Sequence, residues 1–303
     1  MKKLSNSQKT AALLIAAAGV IFYSAKAVFV KMAYVYGIDP ITLMLYRMAL
    51  SMPFYLIVWL FHRSKNDEKV ALSVKEIVLI TFLGLIGYYA SSLFDFTGLQ
   101  YIDASLERLI LFIYPTIVIV LSRVFLKVNV VKEQVIAIVL TYIGVFVIFS
   151  QDILDGTQSD NLLLGAILIF MCAITYATYL VGSNRMLPKL GTVNFTTYVM
   201  FVSFLATLIH YFIEVGFSFE MYPFEVYVIS ILMAFVSTVL PSYMIGEAIK
   251  RVGANVVGIV GSLGPVSTIS LSMIFLGESL TLIQFGGAFI ILAGIFIIGR
   301  VKK

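Results

Sequence analysis

The chain has 303 residues, of which 61% are hydrophobic and 12% charged, with a formal charge of +5. That balance excludes a soluble globular domain, which needs far more polar surface, and marks an integral membrane protein. The single cysteine, Cys172, lies inside an apolar run and carries neither a disulfide nor a metal framework, while the positive charge sits in short segments between apolar runs and does not point to nucleic acid.

In chain order, hydropathy predicts an all-α integral membrane fold with ten transmembrane helices near 11–31, 40–61, 76–98, 104–126, 133–150, 161–182, 193–213, 224–247, 254–275 and 281–300. Ten spans of about 20 residues use roughly two thirds of the positions and leave no room for a soluble domain. The start Met1-Lys2-Lys3 before an alanine-rich run has the pattern of a cleavable leader. Its removal would delete span 1 and leave the counterpart near 161–182 alone, so the segment is read as a retained helix. Asp39-Pro40 gives span 2 a cap and a first-turn proline. Pro53, Pro115, Pro241 and Pro265 fall inside spans, where each removes a backbone hydrogen bond and frees a carbonyl that lipid cannot satisfy. Pro115 and Pro265 are read as helix bends at matching depth.

A positional shift of 150 superposes two stretches without a gap. Ala104, Pro115, Ser122, Phe125, Leu126, Gln134 and Gly144 match Ala254, Pro265, Ser272, Phe275, Leu276, Gln284 and Gly294. The chain therefore reads as a duplicated unit, residues 1–150 and 161–303, joined by a polar linker at 151–160. An odd number of crossings reverses direction, so five spans per copy make two inverted five-helix repeats. Within the duplication, Gly258, Gly261 and Gly264 form a bare stripe on span 9, whereas span 4 carries Arg108, Leu111 and Tyr114 at the matching places. Either the two helices meet and bulk from one fills space left by the other, or span 9 packs tightly against some other neighbour; the sequence leaves both open.

Lysine and arginine concentrate on one side of this topology, from Lys2 and Lys3 through Arg63, Lys75, Arg185, Lys189, Lys250 and Arg251 to Lys302 and Lys303. The opposite loops are acidic, with Asp39, Asp103, Asp152, Glu214, Glu220 and Glu278, and only Lys31 approaches that boundary. This asymmetry predicts a multi-pass protein of the cell membrane, the inner membrane if bacterial, with both termini cytoplasmic.

Ionisable groups at membrane depth point to function, because each costs about 2.5–3.5 kcal/mol on insertion scales. Arg123 and Glu247 lie near the inner boundary, where Glu247 has Lys250 and Arg251 as partners, and His210 lies near the outer one. Lys26, Arg47, Asp95, Glu107 and Arg108 remain, all in the outer half of four spans of the first repeat. They define either a shared polar cavity or separate side chains snorkelling to the boundary. Glu107 fits the first turn of span 4, with Ser105 or Asp103 as cap, but a cation there opposes the helix dipole, so Arg108 requires a partner.

The phrase Phe275-Leu276-Gly277-Glu278-Ser279-Leu280-Thr281, then Gln284, Gly286-Gly287 and Gly294, resembles the repeat ending of EamA-type proteins in the drug/metabolite transporter superfamily. Tyr243, Ala248, Gly253-Ala254 and Pro265 are similar to the earlier half of that unit, and Arg47 to the arginine of span 2. The resemblance implies ten helices in two inverted repeats, with spans 1, 3, 4, 6, 8 and 9 around a central pathway for small polar metabolites. Two departures stand out: Lys127-Val128-Asn129 replaces Gly277-Glu278-Ser279 in the first repeat, and Glu107-Arg108 replaces an apolar or small stretch.

An enzyme is not expected, since no nucleophile has an acid–base partner and no metal cluster assembles. The expected function is secondary transport of a small-molecule substrate, amino-acid-like or carboxylate-bearing, export being favoured over import; a channel or a membrane sensor is the alternative. Substrate-pathway candidates are Lys26, Arg47, Asp95, Glu107, Arg108, Tyr114, Gly258, Gly261 and Gly264. No cofactor is expected beyond proton coupling through Glu107 and Asp95, and no partner beyond the substrate and the lipid bilayer, with monomer and homodimer both open. The loop charges generate a topological prediction. Single cysteines at Thr157 and Ser218 should react with an impermeant reagent in intact cells, and one at Asn66 should not. The reverse pattern would overturn the orientation.

Overall fold

A computed structural model describes residues 6–65, 72–126, 161–217, 220–261, 263–279 and 281–299, with scattered helical positions between 132 and 147. The described residues are helical, without strands. The elements are α1 (Asn6–Tyr34), α2 (Pro40–Lys65), α3 (Val74–Gly84), a π-helical segment π1 (Leu85–Ala90), α4 (Ser91–Gly98), α5 (Ala104–Leu111) and α6 (Tyr114–Leu126). They continue with α7 (Leu162–Glu214), α8 (Phe224–Ala234), π2 (Phe235–Val239), α9 (Leu240–Val252), α10 (Ala254–Val260), α11 (Leu263–Phe275) and α12 (Leu282–Gly299).

Seven helical stretches among the described residues are long and apolar enough to cross a membrane, and the chain is a multi-pass membrane protein. One of them, α7, runs for 53 residues. At 1.5 Å per residue it would reach about 80 Å, more than twice the hydrocarbon thickness. Gly191 resolves the conflict: its φ of 75° and ψ of 162° break the helix between the spans expected at 161–182 and 193–213. The loop expected at 183–192 is instead helix up to that glycine. The span expected at 133–150 lies largely outside the described residues, as does the linker at 151–160.

The breaks inside the spans recur at the sequence offset. α3 passes into π1 at residue 85 and α8 into π2 at residue 235, while α5 gives way to α6 around residues 112–113 and α10 to α11 at Gly261. The second pair follows from proline. Pro115 and Pro265 have no N–H for the preceding turn, and the backbone tightens there, with the Thr116 amide donating to the Ile113 carbonyl at 3.0 Å and the Gly264 amide to that of Gly261 at 2.8 Å. Pro241 accounts for π2 in the same way. Hydroxyls satisfy the disturbed carbonyls: Ser237 and Thr238 each donate to Met233 O at 3.0 Å, and Tyr55 donates to Thr238 O at 3.3 Å.

π1 has no such proline, since Ser91 stands where Pro241 stands in the second stretch. Its distinguishing feature is a close approach. A Cβ on Gly87 would lie 2.5 Å from the Cβ and ring of Tyr179, and one on Gly98 would lie 2.6 Å from Ile169. The first half of α7 thus packs antiparallel on the stretch 83–98. In the second stretch the same role falls to α1, which packs on α9 and α11, with Gly19 against Met244 and Ile245. Each first helix therefore packs on the third and fourth spans of the other half, which interlocks the two.

Helix propensity alone favours alanine over glycine by up to about 1 kcal/mol. At Gly87 the contact with Tyr179 should reverse that sign. Gly87→Ala is expected to destabilise the purified protein by about 1–3 kcal/mol in detergent melts, and an unchanged or raised melting temperature would show that the approach is not tight.

Candidate functional site

Five ionisable side chains, Lys26, Arg47, Asp95, Glu107 and Arg108, are at most 4% exposed, although each must leave water to occupy its place. Lys26 lies eight residues before the end of α1, or about 12 Å along the axis. It does not snorkel. Its ammonium lies 2.5 Å from Asp95 Oδ2 on α4 and 4.9 Å from the ring centroid of Tyr23, one turn earlier on its own helix. Burial with direct pairing removes the reading of separate side chains reaching the boundary.

Arg108 is held from the opposite side of the cluster. Its Nε donates to Thr268 Oγ1 on α11 at 2.7 Å, and Thr268 donates in turn to the Ser24 carbonyl on α1 at 3.1 Å. The guanidinium lies 5.6 Å from the Tyr23 centroid, so the Tyr23 ring is near both Lys26 and Arg108. Arg47 reaches in from α2, donating from Nη2 to Ser92 Oγ at 2.7 Å and lying 4.8 Å over the Phe96 ring. Glu107 shares its electrostatic surroundings with Asp95, Arg108 and Lys26.

Arg47 Nε and Arg108 Nη2 are buried without a protein hydrogen-bond partner, and the Glu107 carboxyl has the Asp95 carboxyl as its neighbour. Buried polar groups are almost always satisfied by protein, water or ligand, and these groups are gathered in one place. Three cations against two carboxylates leave the cluster one positive charge in excess when all are ionised. An anionic group of a bound molecule would offset that excess.

Aromatic rings wall the cluster on the side of α7. Tyr176 stacks on Tyr23 at 6.0 Å, meets Tyr114 edge-on at 5.2 Å and continues to Tyr179 at 6.3 Å. The glycine stripe now has an assignment. The Tyr114 hydroxyl occupies the space a Cβ would take on Gly261, and the Arg108 side chain comes within 3.8 Å of that position on Gly264. Spans 4 and 9 therefore meet, with bulk from one in the space left by the other. Gly258 differs, being buried with nothing within 4 Å of its Cβ position.

The helix cap differs from both expected residues. Asp103 makes no side-chain bond to the first turn of α5, and the Ser105 hydroxyl points elsewhere; the capping group is Glu278, from the loop after α11. Near the basic end, Glu247 accepts from Arg251 and from Thr192, each at 2.7 Å, while His210 Nδ1 lies 3.0 Å from the Tyr89 hydroxyl. Both stay outside the cluster. Sequence reasoning missed Tyr23, Ser92, Tyr176 and Thr268. Two of them carried a signal, since Tyr23 precedes Lys26 and Tyr176 precedes Tyr179 by one turn on apolar helices. Among the described residues no group of three or more His, Cys, Asp or Glu is placed to hold a metal ion.

Apolar helices interlocked around a buried charge cluster make up a multi-pass membrane protein with a polar centre. Residues 10–150 and 163–300 each match the EamA-like transporter family, and the chain belongs to that family. It is 28% identical over 293 residues to the uncharacterized transporter YcbK of Bacillus subtilis (strain 168), covering 92% of this chain and 93% of that one. It is also 26% identical over 251 residues to the uncharacterized transporter YyaM of the same organism, covering 82% and 81%. A solved crystal structure shares the fold, with a TM-score of 0.70 and 13% identity over 95% of this chain and 96% of the other.

The Lys26–Asp95 pair yields a stability prediction. Removing one partner strands a buried charge, which costs about 3–5 kcal/mol, whereas removing both does not. Lys26→Met and Asp95→Asn should each lower the melting temperature of purified protein, and the double variant should recover part of the loss. Additive losses would show that the two groups are not coupled.

Proposed function

We propose that the protein is a secondary transporter that moves a small carboxylate-bearing, amino-acid-like solute by alternating access, and that export is its working direction. The observation that carries this reading is Arg108, buried at the centre of the cluster with its Nε anchored to Thr268, in the same electrostatic neighbourhood as Glu107 and Asp95. A substrate carboxylate would take the free arginine donor, and a substrate ammonium or a transported proton would take Glu107. Tyr23, Tyr114 and Tyr176 would flank the rest of the molecule. Arg47 and Lys26 would keep the cluster positive, and Gly258 would leave room at its edge.

The reading includes ten helices in two inverted repeats with both termini cytoplasmic. Two observations support the inversion. The family profile matches twice, and spans 4 and 9 run antiparallel, since Ser105 meets Ser272, Arg108 meets Thr268 and Tyr114 meets Gly261 in succession. Helices at equivalent positions in parallel repeats would have to run the same way. Proton coupling would use Glu107 and Asp95, two carboxylates within one electrostatic neighbourhood, one of which holds Lys26.

Proteoliposomes loaded with a labelled amino-acid and organic-acid panel test the proposal. Saturable uptake with counterflow is expected. Arg108→Lys keeps the charge and loses the fork geometry, so apparent affinity should fall about tenfold or more with protein level unchanged. Glu107→Gln should abolish accumulation driven by a pH gradient and spare exchange of labelled for unlabelled solute. Current that does not saturate would indicate a channel, binding without flux a sensor, and unaltered affinity and pH response in both variants would place the cluster outside the pathway.

A further inference from the structure

α5, which carries Glu107 and Arg108, and α11, which anchors Arg108 through Thr268, are joined at one end by the carboxylate of Glu278. Glu278 follows Gly277, whose φ of 68° turns the backbone back over the end of α11. Its Oε1 accepts the Ala104 amide at 2.9 Å, and its Oε2 accepts the Ser105 amide at 2.9 Å and the Ser105 hydroxyl at 2.6 Å. Ser105 Oγ also lies 2.7 Å from Ser272 Oγ, and one turn deeper Arg108 reaches Thr268. The first amides of a helix have no partner within the helix and carry the positive end of its dipole. A two-pronged carboxylate on them is a charge-assisted contact, stronger than a neutral one.

This contact lacks a symmetric counterpart. The position 150 residues before Glu278 is Val128, so the residue at the offset is no carboxylate, and among the described residues none is recorded on the first amides of α10, which follows Gly253. Between the halves, the basic side has Lys189–Glu76 at 2.5 Å, with side chains 43% and 23% exposed. A pair that open to solvent contributes little. Two pseudo-equivalent helices are thus clamped strongly at the acidic end. Separation of the Ala104 end of α5 from the Ser272 end of α11 must break the three Glu278 contacts and the Ser105–Ser272 contact together.

We propose that Glu278 is a latch that holds the transporter closed on the side of the acidic loops, and that its release opens the Arg108 cluster to that side. The inference goes beyond the transport reading, on which it rests only for the use made of the opening. Glu278 acts through α5 and is a positioning residue.

The test uses the full-length protein in membranes with Cys172→Ser and the reporter Ser24→Cys. Ser24 is fully buried beneath the latch, within 3.3 Å of the Gly264 carbonyl. The reporter should react slowly with an impermeant maleimide added on the acidic-loop side. Glu278→Gln removes the charge and one acceptor, and should raise that rate about tenfold or more. Oxidising a Ser105→Cys/Ser272→Cys pair in the Glu278→Gln protein should return the reporter to its slow rate, and a reductant should reverse this. An unchanged reporter rate in Glu278→Gln overturns the latch. So does an equal rise at Ser203→Cys, a buried position away from the clamp, because that marks general loosening. No substrate is needed, so latch and function fail separately: faster labelling without flux sinks the transport reading alone, and flux with an unresponsive reporter sinks the latch alone.

Discussion

Charge is expensive in hydrocarbon, and the arrangement of this bundle follows from where five charges are kept. Each ionised group at membrane depth costs about 2.5–3.5 kcal/mol on insertion scales. Lys26, Arg47, Asp95, Glu107 and Arg108 sit on α1, α2, α4 and α5, and no single helix could shield them. They are buried because helices of the second half close around them, α11 with Thr268 and α7 with Tyr176. The interlock of halves is what makes the cluster tolerable, and the cluster is what the interlock encloses.

Close packing around such a centre requires broken helices. An unbroken helix presents side chains and hides its backbone, whereas α5–α6 and α10–α11 break near mid-span and bring backbone and small residues to the contact. The breaks are affordable where hydroxyls or neighbouring helices take up the freed carbonyls. Tyr55 and the serine and threonine of π2 do this in one half. In the other half Tyr179 fills the close approach at Gly87 instead. The same deformation at equivalent depth thus has a different chemical origin in each half.

Proline-driven features were legible in the sequence: the bends beside Pro115 and Pro265 come from a missing N–H, which is a local property. Some span ends were legible too, since α5 begins at Ala104 and α11 ends at Phe275 as hydropathy predicts, whereas α1, α2 and α9 run on to Tyr34, Lys65 and Val252, past the expected 31, 61 and 247. The cap on α5 was not legible. Glu278 lies 173 residues from Ser105, and only the packing of α5 on α11 brings them together. The π-helix at Leu85–Ala90 was equally hidden, because nothing in its own residues forces it and its partner Tyr179 comes from another span. The charges were identified as a group, but hydropathy could not decide between one cavity and separate snorkelling residues. That distinction depends on which helices touch.

The pairing of span 4 with span 9 explains why the charged cluster belongs to one repeat. At the offset, Arg108, Leu111 and Tyr114 correspond to Gly258, Gly261 and Gly264. The contacts cross over: Tyr114 fills the space at Gly261, and Arg108 lies along Gly264. Were both helices to carry the bulky set, Tyr114 would meet a leucine where its hydroxyl now sits, and Arg108 would meet a tyrosine at position 264. Were both to carry glycine, the crossing would hold no charged side chain. Two antiparallel helices this close can host a charged site only if one supplies the side chains and the other the room. The two stretches related by the offset therefore differ where they meet, and the Glu107-Arg108 pair of one and the glycine stripe of the other are two halves of one contact.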